Sequence, residues 1–172
     1  MRAGSHDAMR LGAWGRGMMF DDLRDLYQEV ILDHGRKPRN FRRLEDADRT
    51  ARGDNPMCGD RMELQLKLAP DGGIADAAFQ GRGCAISMAS ASLMTETVKG
   101  KSEAQARALG ARFRELAMTG ACPACGADLA EEMERLTPLS GVHEFPSRVK
   151  CATLAWHTLN AALDGAKEAS SE

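Results

Sequence analysis

The segment Arg61-Met62-Glu63-Leu64-Gln65-Leu66-Lys67-Leu68 decides the fold. Met62, Leu64, Leu66 and Leu68 alternate with Arg61, Glu63, Gln65 and Lys67, and a period of two puts each set on its own face of a pleated strand. One apolar face and one polar face mark an antiparallel sheet covered on one side. Pro70-Asp71-Gly72-Gly73 follows with turn-forming residues, and Ile74 to Gln80 returns with weaker alternation, which makes a hairpin. A short first strand is expected near Thr50 to Gly53.

On both sides of the hairpin the period becomes helical. Upstream, Leu23, Leu26, Tyr27, Val30 and Ile31 recur at helical spacing, with Asp21 or Asp22 as cap and Gly35 as stop. Downstream, Ala85 to Lys99 is rich in Ala and Ser, which permits close packing on the sheet. Ser102 and Gln105 form a capping box for a helix carrying Leu109, Phe113 and Leu116. Leu129, Met133 and Leu136 mark a shorter helix ended by Pro138, and a last helix is expected from about Ser147. Strands followed by helices give an α+β domain, with a small antiparallel sheet of about three strands against several helices.

The chain has 172 residues, 43% of them hydrophobic and 28% charged, with a net charge of −2. That is enough chain for one domain with a core. The charge balance and scarcity of aromatics argue against a nucleic-acid binder. No apolar run is long enough to span a membrane. Residues 1–18 read as a disordered extension, 19–165 as a single domain and 166–172 as a disordered tail. Five cysteines without a disulfide-type spacing, and no secretory signal, place the chain in the cytoplasm, where thiols stay reduced.

Three cysteines sit where the chain changes direction. Cys58 lies in Asn55-Pro56-Met57-Cys58-Gly59-Asp60, entering a strand; Cys84 ends Gly81-Arg82-Gly83-Cys84, entering a helix; Cys151 falls in the expected first turn of the last helix. Helix N-termini favour thiolates, which is expected to lower the pKa of Cys84 and Cys151. Asp60, two residues after Cys58, shares its face if the chain there is extended. Three thiolates and a carboxylate suit tetrahedral zinc, or equally the edge of a small iron–sulfur cluster. Arg82, Arg148 and Lys150 are near in sequence to offset the charge. Spacing alone also leaves open three inert core cysteines.

The motifs NPMCGD (55–60), GRGCAISMASASLMTE (81–96) and SRVKCATLAW (147–156) resemble those of the U-type iron–sulfur scaffold family, the IscU/NifU N-terminal group, over roughly Phe20 to Leu163. The resemblance implies an α+β fold, the ligand set Cys58, Asp60, Cys84 and Cys151, and sulfur received as persulfide from a PLP-dependent cysteine desulfurase. Isc-type members carry a histidine before the third cysteine and an LPPVK motif. Here Lys150 occupies the histidine's place, the motif is absent, and an insertion spans about Thr119 to Gly141. These departures resemble the SufU branch. The resemblance then implies a zinc-dependent sulfurtransferase that activates a SufS-type desulfurase, with Cys58 as persulfide acceptor and Cys151 as the alternative. Sulfur would pass to a downstream SUF scaffold or apo iron–sulfur proteins. A scaffold assembling a [2Fe–2S] cluster, and a purely structural zinc domain, are the competing expectations.

Cys122-Pro123-Ala124-Cys125 falls outside the family pattern. It reads as an incidental disulfide, half a metal site or a redox pair. His143 precedes the last helix and could approach the site. His34 ends the first helix, where a cation suits the dipole. His157 reads as packed, and Met88, Met94 and Met118 as core filler.

Overall fold

The computed structural model describes residues 24–122 and 126–170. The expected extension over 1–18 therefore lies outside the described residues. The first helix, α1, covers residues 24–36. The hairpin forms as expected: β2 (Asp60–Leu68) pairs antiparallel with β3 (Ile74–Arg82), and β1 (Arg49–Asn55) pairs antiparallel on β2's other side. Leu64 and Leu66 are fully buried and Met62 nearly so, which satisfies the period-two pattern.

Two features depart from that pattern. Gln65, on the polar side of β2, is buried because the connection after α1 folds over it, with Gln65 Oε1 accepting from Leu44 N at 2.7 Å. The sheet also gains a fourth strand, β4 (Glu168–Ser170), giving the order β3-β2-β1-β4. It lies parallel to β1, so the sheet is mixed, not purely antiparallel. Residues 166–172, expected as a tail, thus contain strand-forming backbone. Glu168-Ala169-Ser170 carries no apolar alternation; the pairing is made by main-chain groups at the free edge of β1, including Arg52 N to Lys167 O at 2.8 Å.

Four helices complete the chain: α2 (Ala85–Val98), α3 (Glu103–Thr119), α4 (Ala130–Leu136) and α5 (Pro146–Leu163), with a 3₁₀ segment (Thr137–Glu144) before α5. The small residues of α2 permit close approach to α5: Ser90 Oγ donates to Ala152 O at 2.5 Å. The capping box of Ser102 and Gln105 opens α3 as expected. Phe113 of α3 stacks on Trp156 of α5 with centroids 5.0 Å apart. Phe79, Leu109, Leu136, Leu154 and Leu159 are fully buried between sheet and helices. Met94 joins this core, whereas Met118 is exposed, correcting its reading as filler. No helix of the described residues is long and apolar enough to cross a membrane.

Candidate metal centre

One end of the sheet gathers the turn from β1 to β2, the start of α2 and the second turn of α5. Asn55 O accepts from Cys58 N at 3.2 Å and from Gly59 N at 2.9 Å, which closes the turn. Gly59 holds φ +70°, a conformation that costs glycine little. This reversal, not an extended chain, presents Cys58 and Asp60 together. Cys58 is exposed. Asp60 is only 1% exposed.

Cys84 is the N-cap of α2, its sulfur accepting from Ser87 N at 3.4 Å. Its own N–H donates to Asp60 Oδ1 at 3.0 Å, and its sulfur lies 4.0 Å from Asp60 Oδ2. A Cβ at Gly83 would stand 2.8 Å from Asp60 Oδ1, so only glycine leaves room for the carboxylate here. Cys151 is 4% exposed, and its Sγ lies 3.4 Å from Cys58 Sγ. The nearest ligand atoms of Cys58, Asp60 and Cys151 all fall within 4.8 Å of one another.

The expectation for Cys151 needs correction. α5 begins at Pro146, so Cys151 lies beyond the first helical turn, where the dipole acts. Burial, then hydrogen bonding with Asp60 and Cys58 and the charge of Cys84, pushes its thiol well above the usual range. A cation among these groups reverses that penalty by favouring the thiolate. The donor set also fits a metal in size: zinc-bound thiolates stand ~3.8 Å apart in a tetrahedron with Zn–S bonds of about 2.3 Å. A groove of about 1040 Å³ runs beside Asp60, with Arg61 and Arg82 on its wall.

The match to the family model described as NifU-like N terminal domain runs over residues 26–169 and so contains this whole site. The chain belongs to that family. Among relatives, it is 44% identical to the zinc-dependent sulfurtransferase SufU of Bacillus subtilis, over 80% of this chain and 89% of that protein. It is 39% identical to the iron–sulfur cluster assembly scaffold protein IscU of Streptococcus pyogenes, over 85% and 87%. The fold is similar to that of a candidate iron–sulfur cluster assembly scaffold for the SUF system from Fervidobacterium islandicum, with a TM-score of 0.69, 30% identity, and coverage of 78% and 94%.

Within this NifU-like domain the other sequence candidates stand apart. His143 turns to Ser140 O at 2.7 Å. His34 is buried and its Nδ1 lies 2.8 Å from Ser92 Oγ; burial lowers its pKa, which works against the cation expected at a helix end, while Glu96 opposes that shift. His157 is likewise lowered by burial. The Arg148 guanidinium lies over the Phe145 ring at 4.3 Å. Cys122 packs half-buried against the core, and Cys125 lies outside the described residues. Sequence reasoning gave no role to Asn55, which is fully buried and whose Nδ2 donates to Cys151 Sγ at 3.7 Å. The signal was its place at the head of NPMCGD, immediately before the ligand turn.

Proposed function

We propose that this chain is an iron–sulfur assembly protein acting as a zinc-dependent sulfurtransferase. Cys58, Asp60, Cys84 and Cys151 hold the ion. When bound, zinc keeps the thiols deprotonated and guarded against oxidation. The supporting observation is the contrast inside one cluster: Cys58 is exposed on a turn, while its neighbour Cys151 is buried in a helix.

Cys58 is the persulfide acceptor and Cys151 the alternative. The Cys58 thiolate attacks the outer sulfur of a persulfide on the partner, a SufS-type PLP-dependent cysteine desulfurase. A new S–S bond forms at Cys58, the partner's S–S bond breaks, and the electron pair leaves on the partner's cysteine. The turn that carries Cys58 moves at less cost than a helix would. Asp60, which is buried, and Cys84, exposed at the head of α2 but tied to Asp60 through its backbone N–H, hold the rest of the site in place meanwhile. Sulfur then passes to a downstream SUF scaffold or to apo iron–sulfur proteins. The chain from residue 19 onward, with β4 (Glu168–Ser170) included in its sheet, serves as one functional domain, working in the cytoplasm. Kinship with SufU, together with Lys150 in the histidine's place, supports this branch.

The second reading, a scaffold for a [2Fe–2S] cluster, draws on the similarity to scaffold relatives. Metal analysis of anaerobically purified protein, with desulfurase rates measured in its presence, separates the two. About one zinc per chain with strong activation supports sulfur transfer. Iron with acid-labile sulfide and little activation overturns it in favour of the scaffold.

A further inference from the structure

We propose that Asn55 is a positioning residue that assigns different roles to the two neighbouring sulfurs, holding Cys151 as a passive ligand and presenting Cys58 for reaction. The inference rests on the metal-site reading above and adds a residue to it. Cys58 and Cys151 are 3.4 Å apart at sulfur, so any incoming electrophile that reaches one is close to the other. Something local must distinguish them beyond exposure.

Asn55 touches both. Its side chain is fully buried, and a buried amide must place its donor and acceptor. The donor, Nδ2, goes to Cys151 Sγ at 3.7 Å. The acceptor, Oδ1, takes Met57 N at 3.3 Å. The main-chain carbonyl of the same residue takes Cys58 N and Gly59 N. Asn55 also pairs with Asp60 across the last rung of β1 and β2, so its position is fixed by the sheet. A single residue thus ties down the Cys58 turn and the Cys151 sulfur.

The chemistry follows from the direction of the N–H···S contact. A donor pointed at a thiolate draws off charge and occupies a lone pair, which blunts the sulfur as a nucleophile and stabilises it as an anion. Cys58 has Asn55 at its backbone only, so its sulfur takes no N–H from that amide; its contact is with the Cys151 thiol, which donates to it at 3.4 Å and loses that proton when a cation binds. Aspartate at position 55 is the informative change. It keeps the shape and the acceptor for Met57 N, and it replaces the donor to Cys151 with an oxygen.

The test uses the full chain, cobalt(II) in place of zinc, and Asn55→Asp beside Asn55→Ala. Circular dichroism first establishes which variants fold; the isosteric Asn55→Asp decides the matter if Asn55→Ala does not. The sulfur-to-cobalt charge-transfer band reports the electron density on the thiolates. It is expected to move to lower energy in the folded variants, a shift that general loosening of the turn would not produce. Limited iodoacetamide alkylation, read by peptide mass spectrometry, is expected to favour Cys58 in the parent protein. The Cys151-to-Cys58 labelling ratio should rise about tenfold in the variants. An unmoved band with an unmoved ratio in a folded variant overturns the proposal. Failure of the parent protein to take up cobalt overturns the metal-site reading instead, and the labelling ratio of metal-free protein then decides the role of Asn55 by itself.

Discussion

The backbone N–H of Cys84 donates to Asp60 Oδ1 at 3.0 Å, which ties the start of α2 to the start of β2. One carboxylate thereby supports a cysteine and stands beside three of them. Asp60→Ala removes the anionic oxygen and the acceptor for Cys84; Asp60→Asn removes the charge and keeps an oxygen for that contact. Groups that merely support ligands are worth roughly 10–100-fold in metal affinity. Zinc affinity is therefore expected to fall at least tenfold in Asp60→Ala, with Asp60→Asn between it and the parent. Chelator competition checks this, and equal affinity across the three proteins would refute the role given to Asp60.

Cys58 and Cys151 differ in what surrounds them, and the serine variants should differ accordingly. Cys58 is exposed, so in metal-free protein Cys58→Ser should change stability by no more than about 0.5 kcal/mol. Cys151 is buried, and a hydroxyl placed there without full hydrogen bonding costs about 1–3 kcal/mol. Both variants lose a proposed zinc ligand. Cys58→Ser should also lower desulfurase activation more than tenfold while its metal-free fold stays intact. Urea unfolding of the chelated proteins, alongside the desulfurase assay, gives the comparison. Full activation by Cys58→Ser would move the acceptor role to Cys151.

His34 sets a pH dependence whose sign can be worked out. Burial lowers its pKa, with Arg39 acting the same way and Glu96 opposing. Its folded value is therefore below the unfolded one of about 6.5. The unfolded chain takes up the proton first, so the contribution to stability is complete above the unfolded value and is lost as pH falls through the folded one. His157 is shifted in the same direction, by burial and by Arg114. Stability should decline from about pH 6.5 downward. Asn at position 34 should reduce that slope and leave the remainder due to His157. Urea midpoints measured between pH 7 and 5 test it; an unchanged slope in His34→Asn would show that His34 titrates normally.

The parts of this molecule that could be read from sequence are those set by local pattern. Alternation in 61–68 specified β2 because a half-covered sheet demands it, and Ser102 with Gln105 specified the start of α3 because the cap uses only nearby groups. The motifs around Cys58, Cys84 and Cys151 named residues that the fold brings together. What escaped reading depends on distant partners. β4 exists through main-chain pairing with β1, and its side chains carry no sign of it. The placing of Cys151 beyond the first turn follows from a helix opening at Pro146, after a 3₁₀ segment that supplies its lead-in. His34 is buried against α2, where its Nδ1 meets Ser92 Oγ, 58 residues away.

Cys58 and Cys151 are separated by 93 residues in sequence, and Cys84 comes from a third element, so an ion held by the proposed ligands would cross-link the domain. Zinc that binds only the folded chain stabilises it by about 2.7 kcal/mol at a hundredfold excess over its dissociation constant. Chelation should therefore lower the thermal midpoint by several degrees, and re-added zinc should restore it. The loss should also be local. Amide exchange should speed up in the 55–60 turn and the first turn of α2, where ligands hold the backbone. The far end of the β2–β3 pairing, where Leu66 faces Ala77, lies at the opposite end of β2 from Asp60 and should exchange as before. An identical midpoint and exchange pattern with and without metal would mean that the fold holds these thiols unaided, and would remove zinc from the account of its stability.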